Sequence, residues 1–160
     1  MIIIIKYIYG LDLSMSNTGI AIFDLDTYKP ILITSVKTNP KETHGERLHI
    51  QREYMKELIE KYPPCEIAIE QGFTRFNKAT QVLYKTHGIV NELFYKYQQF
   101  YYAPNMIKKT ITGNGQAKKE VIQAKILKKY PNLKFVNDDE SDATAVAITN
   151  LIKKHKMKWN

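Results

Sequence analysis

The chain begins with an almost unbroken β-branched and aromatic run, residues 2–12, followed by two further strand-like segments at 17–24 and 30–37 across short polar connections. Strand-like runs joined this closely predict an antiparallel meander. After the polar TNPKETHGE the period changes: Leu48, Met55, Leu58, Ile59 and Tyr62 fall on one helical face, and YPP at 62–64 stops that helix. CEIAIEQ then reads as a short buried strand ending at Glu70. A polar stretch at 74–78 leads into a second helix, with Ala79, Val82, Leu83, Ile89, Val90, Leu93, Phe94 and Tyr97 at near-helical spacing. FYYAP is a fifth strand. Helical spacing then resumes, breaks at Gly113 and Gly115 and restarts around Gln116, where Val121, Ile122, Ala124, Ile126 and Leu127 supply an apolar side. NDDESDATAVAITNL opens a final helix.

The predicted order is three strands, helix, strand, helix, strand, helix, helix. A strand that follows each of the first two helices can join the sheet in parallel, which makes this a three-layer α/β fold with a mixed five-stranded sheet. At 160 residues, 44% of them hydrophobic, the chain is expected to be a single domain spanning 1–160. No repeat, linker or low-complexity tract interrupts it. The opening MIIIIKYIYG lacks a basic region ahead of its apolar run and Lys6 interrupts it early, so it reads as a buried strand rather than a targeting signal. No apolar run approaches the roughly 20 residues that cross a bilayer. Cys65 is the only cysteine, which excludes an internal disulfide; a cytoplasmic location and a buried, inert thiol are expected.

Charge adds a partner to this picture. A formal net charge of +8 favours a polyanion, with nucleic acid the commonest, although an inert basic surface would look the same. Against that excess, acids gather at particular points. Asp12 ends the first strand and Glu70 the fourth, so if these are parallel neighbours both emerge at one sheet edge. Asp139 and Asp142 are three apart and share a face of the final helix with Val146 and Thr149. Four carboxylates from three distant segments would repel one another unless cations sat among them, and hard oxygen donors suit Mg²⁺ or Mn²⁺. Two such ions roughly 4 Å apart are the usual device for phosphodiester hydrolysis. Acids in a first helical turn also complement the helix dipole, and for Asp138 and Glu140 that reading is the better one.

Lys108, Lys109, Lys118 and Lys119 flank TGNGQ, a glycine-containing turn that enters a helix, where backbone N–H groups and lysines can receive a phosphate. EQGFTRFN places Phe73, Arg75 and Phe76 in a loop after Glu70; an aromatic there either stacks on unpaired bases or folds back onto the core. The segment 153–160, KKHKMKWN, reads as a basic C-terminal tail that contacts phosphates nonspecifically or frays.

Taken together, GLDLSMSNTGIAIFD, IAIEQGF, APNMIKKTITGNGQAKKEV and DESDATAVAI resemble the RuvC family of Holliday-junction resolvases, in the family's order and over nearly the whole chain. The resemblance implies an RNase H-like fold, a homodimer and Mg²⁺-dependent paired nicking of four-way DNA junctions, with Mn²⁺ able to substitute and two ions per active site. By motif position it makes Asp12, Glu70, Asp139 and Asp142 the metal-binding catalytic acids, with Asp138 the substitute for Asp139 should the helix register differ by one. It matches Phe73 to the aromatic used at the opened bases, and Lys108 and Lys119 to basic residues near the scissile phosphate. After the first acid, DLSMSNTG stands where cellular members carry proline and glycine, and there the chain is most similar to phage-encoded members, whose place is the host cytoplasm. That likeness leaves sequence preference and any branch-migration motor open. The second helix, through Val90, Phe94 and Tyr97, is either part of an isologous dimer interface or ordinary core.

The expected function is therefore a structure-selective DNA endonuclease acting on branched DNA, especially four-way junctions. Three other readings stay in view: a broader debranching nuclease, an RNase H-like nuclease of hybrids or flaps, and a junction-binding protein without turnover.

Overall fold

In the computed structural model, which describes residues 2–72 and 77–160, the elements run β1 (Tyr7–Asp12), β2 (Asn17–Asp24), β3 (Pro30–Lys37), α1 (His44–Lys61), β4 (Pro64–Glu70), α2 (Lys78–Leu93), β5 (Gln98–Tyr102), α3 (Pro104–Thr112), α4 (Lys119–Lys129) and α5 (Asp138–His155). The sheet order is β3-β2-β1-β4-β5; β1, β2 and β3 are antiparallel neighbours, and β4 and β5 join in parallel, as the three-then-crossover pattern requires. Alternation along the strands divides two cores. Ile8, Ala21 and Ala68 pack under α3, α4 and α5, whereas Tyr9, Leu11, Ile20, Ile67 and Ile69 pack under α1 and α2.

α5 is the central helix, with residues from Glu140 to Leu151 buried except Asp142. It can lie this deep because the strands beneath it carry glycine at the two points of closest approach, Gly10 and Gly19. A Cβ on Gly10 would stand 2.4 Å from the Ala143 carbonyl oxygen and 2.7 Å from the Ala147 methyl, and one on Gly19 would stand 2.0 Å from the Asp139 carbonyl oxygen. Glycine on the sheet meeting alanine on the helix sets the approach of α5 to β1 and β2.

Several expectations are corrected. β1 begins at Tyr7 rather than residue 2, and Ile2 and Ile3 are 89% and 81% exposed. Neighbouring strands explain the difference: Tyr7 already pairs with the last residue of β2 and the first of β4, so the isoleucines have no ladder to join despite their propensity. Three helices, not two, follow β5, because Gly113 takes a left-handed conformation (φ 83°) that closes α3, and α4 starts only at Lys119. Of the apolar side expected for α4, Ile122 and Ile126 are buried but Val121 and Ala124 are exposed. Val90 and Phe94 are fully buried against Tyr9 and its neighbours, so they belong to the core and not to an interface. Cys65, expected to be buried, is exposed, its thiol directed at the Tyr7 carbonyl oxygen (3.2 Å). The C-terminal segment does not fray: α5 continues to His155, Met157 is buried, and the Trp159 indole N–H donates to the Ile111 carbonyl at 2.7 Å.

Gly10→Ala should lose about 3 kcal/mol of stability, the upper end of ordinary overpacking, because backbone atoms rather than flexible tips oppose the new methyl. Urea denaturation measures it; a midpoint equal to wild type would mean that α5 shifts without cost.

Candidate active site

β1 and β4 pair with Leu11 beside Ile69, so the next residues, Asp12 and Glu70, leave the sheet side by side at one edge. Strand alternation turns both toward α5, since Asp12 is in phase with Gly10 and Glu70 with Ala68. α5 comes to meet them with its N-terminus. Asn137 caps it by accepting the Glu140 N–H at 3.0 Å, and donates its own amide to Ser35 Oγ on β3 at 3.0 Å, which ties the first turn to the sheet. The Asp139 carbonyl sits where a side chain at Gly19 would be, and Gly19 is the register partner of Asp12.

The result is a cluster: one oxygen from each of Asp12, Asp139 and Asp142 lies within 4.8 Å of the others. Glu70 is not within that triad but adjoins Asp12 at the end of the neighbouring strand, close enough that its charge acts on Asp12. Asp138 is outside that triad and lies against Lys119 Nζ at 3.5 Å and Gln123 Nε2 at 3.3 Å, so of the two neighbouring aspartates it is Asp139 that meets Asp12 and Asp142. Glu140 is buried and accepts the Val136 N–H at 2.7 Å, so with Asp138 it belongs to the helix start rather than the cluster.

Crowding changes the acids themselves. Burial, then the charges of Glu70 and Asp142, a hydrogen bond to Glu70 and the charge of Asp139 push the Asp12 carboxyl up to about 9. Burial also raises Glu70, against the hydrogen bond from Asp12 and the nearby charges of Lys119 and Lys108. Burial raises Asp142 too, opposed by Lys119, whose Nζ lies 3.0 Å from Asp142 Oδ2. Burial works against the Lys119 ammonium, but its bonds and attraction to Asp142 and Asp138 outweigh this and raise it. An all-oxygen donor set that retains protons for want of positive charge is what a hard divalent cation fits, since it would displace the proton and neutralise the group. Asp12, Asp139 and Asp142, with Glu70 adjoining, are the residues that could hold it.

Lys108 and Lys119 border the cluster in a cleft of about 250 Å³ whose wall also includes Glu70 and Asp142. Lys118 is the exposed N-cap of α4. Lys109 turns elsewhere, into a neighbouring hollow with Lys153, and does not join the acids. Phe73 and Arg75 lie outside the described residues. Two contributors escaped the sequence reading. Asn17 donates to Asp139 Oδ2 at 2.7 Å, and Gln123 donates to Asp138 and to Ser141 Oγ (2.9 Å). The one available signal for Asn17 was phase, because it shares the face of Gly19 on β2.

The family model described as Crossover junction endodeoxyribonuclease RuvC matches residues 8–150. The chain belongs to the RuvC family. RuvC-named relatives bear this out: that of Wolbachia sp. subsp. Brugia malayi (strain TRS) is 37% identical over 153 residues, covering 92% of this chain and 94% of its own length, and that of Rickettsia typhi is 34% identical over 155 residues, covering 92% and 98%. Thermus thermophilus RuvC superposes with a TM-score of 0.83 at 20% identity over 94% of this chain and 96% of that one, so the RNase H-like fold expected from the sequence is the fold observed. The T. thermophilus RuvC structure in complex with Holliday junction substrate gives the same TM-score, 0.83, at 17% identity, covering 94% of this chain and 96% of that one.

The proton on Asp12 has a thermodynamic consequence. An unfolded aspartate ionises near pH 4, while the folded one keeps its proton to about 9, so across this window the native state binds more protons than the unfolded chain. Stability of the metal-free protein must therefore fall as pH rises through it. Asp12→Asn, which keeps a donor toward Glu70 without the charge, should melt above wild type near the top of the window and show a flatter pH profile. Thermal melts with a chelator present test this; parallel profiles would place the carboxylates too far apart to interact.

Proposed function

We propose that this RuvC-family chain is a DNA endonuclease that resolves four-way junctions by paired, symmetric nicks through metal-dependent phosphodiester hydrolysis. The observation that carries the reading is the convergence of Asp12, Asp139 and Asp142 within 4.8 Å at a sheet edge, with Glu70 beside Asp12 on the neighbouring strand. The relatives are named crossover junction endodeoxyribonucleases, and one RuvC structure holds a Holliday junction substrate.

In this reading Asp12, Asp139 and Asp142, with Glu70 adjoining, would hold Mg²⁺, with Mn²⁺ able to substitute and two ions per site. Bound there, divalent cations supply an activated water and charge for the leaving oxygen. With a cation held there, Asp12 would be ionised. Lys119, paired with Asp142, and Lys108, which lines the same cleft, would hold the phosphates beside the scissile bond. Lys118 and Lys109 extend the basic surface; Phe73 engages the opened bases and Arg75 a phosphate.

Two subunits act together, one on each strand. Because Val90 and Phe94 are core, the contact falls to exposed groups such as Tyr101 on the edge strand β5, which is 45% exposed. No helix of the described residues is long and apolar enough to cross a membrane; a cytoplasmic location, where its DNA substrate would be, is part of the proposal. The phage-like reading of DLSMSNTG, residues 12–19 around the β1–β2 loop, rests on its sequence alone, since the relatives named are bacterial. That loop is the one feature favouring broader cutting of branched DNA.

An immobile four-way junction should be nicked in pairs only with Mg²⁺ or Mn²⁺, while linear duplex and an RNA–DNA hybrid stay intact. Asp12→Asn should abolish cleavage and leave junction binding within about twofold, because phosphate contacts by lysines persist. Equal loss of binding and cleavage would contradict the assignment of Asp12, and binding by wild type without any cut would leave only a junction-binding role.

A further inference from the structure

The loop between β1 and β2 is tied to α1 more thoroughly than a connection of its length needs. Gln51, fully buried, donates to the carbonyls of Ser14 (2.7 Å) and Met15 (3.1 Å) and accepts from Thr18 Oγ1 (3.0 Å). Thr38 Oγ1 donates to Met15 O at 2.5 Å, its N–H donates to Ser16 O at 2.9 Å, and the hydroxyl in turn accepts from Arg47 Nε at 2.8 Å. Asn17 is the first residue of β2 and stands at the end of this bracing, directed at α5 by the same alternation that directs Gly19.

Its amide nitrogen donates to Asp139 Oδ2 at 2.7 Å, while its amide oxygen is buried and has no hydrogen-bond partner among the described residues. Turning the amide over would set that oxygen against a carboxylate oxygen, so Asp139 dictates the orientation. A buried acceptor left unpaired is a feature that structural asparagines avoid and that functional sites tolerate. A carboxylate has two oxygens, and with one held by Asn17 the other is presented in a fixed direction to the centre shared with Asp12 and Asp142.

We propose that Asn17 is a positioning residue for the cation site: braced by Gln51 and Thr38, it holds Asp139 in the orientation that binds the divalent ion, across the gap between β2 and α5. The proposal rests on the reading of Asp12, Asp139 and Asp142 as ligands. Groups of this kind behind a metal ligand alter affinity by about ten- to a hundredfold when removed. Asn17→Ala should therefore weaken binding of Mn²⁺ about tenfold, and the Mg²⁺ concentration giving half-maximal nicking should rise by the same factor. Nicking at saturating metal and junction binding in chelator should stay near wild type. Asn17→Ser, which keeps a shorter donor, should recover part of the affinity.

The measurement is a Mn²⁺ titration by calorimetry on wild type, Asn17→Ala and Asn17→Ser, with a melting curve of each in chelator. Weakened binding at an unchanged melting temperature, partly restored by serine, supports the role. Equal affinities for wild type and Asn17→Ala overturn it, as does a loss of affinity that only follows a loss of fold in both variants. A wild type that binds no Mn²⁺ would instead remove the cation site on which the proposal stands.

Discussion

The contact on which everything else depends is the one between α5 and the glycines of β1 and β2. Helices normally rest on a sheet at a distance set by the side chains between the two layers. Here Gly10 and Gly19 remove the side chains from the strands, Ala143 and Ala147 reduce them on the helix, and backbone approaches backbone. An acid in the first turn of α5 can then reach an acid at the end of β1. With bulkier residues in those four places Asp139 and Asp142 would remain a pair of helix-capping acids, and Asp12 an aspartate at the end of a strand.

The cost of that approach is electrostatic. The metal-free cluster holds Asp12 protonated to about 9 and leaves Lys119 as the ammonium bonded to Asp142 and Asp138. A site of this kind is destabilising until positive charge arrives, and this instability lets a cation or a phosphate-bound cation bind with more than surface affinity. Rigid fixation of the carboxylates is what prevents the acids from simply moving apart. Asn137 anchors the helix start to β3, Asn17 holds Asp139, and Gln51 braces the loop that carries Asn17.

Much of this is legible in the sequence alone. Period and breaker residues place all five strands, and parity predicts that Asp12 and Glu70 emerge together once β1 and β4 are parallel neighbours. The three-residue spacing of Asp139 and Asp142 puts both on the face that continues through Val146 and Thr149, which are buried as that face requires. What the sequence does not reveal depends on partners. Residues 2–5 carry strong β-propensity, but strand length is decided by β2 and β4, which run out at Tyr7. Val90 and Phe94 look the same on a helical wheel whether they face Tyr9 or another subunit. Asn17 and Gln123 are polar residues of ordinary local pattern, and only the fold brings them to the acids. The docked Trp159 is hidden in a basic segment whose charge suggests a loose tail.

The most direct test of the central claim, that α5 is brought onto β1 and β2 to build a cation site, is anomalous scattering from crystals soaked in Mn²⁺. Peaks between Asp12, Asp139 and Asp142, with a second beside Glu70, are the expected result, with Lys119 displaced from Asp142. Crystals that diffract well with Mn²⁺ present yet show no peak at these carboxylates, or a peak bound through Asp138 instead of Asp139, would contradict it.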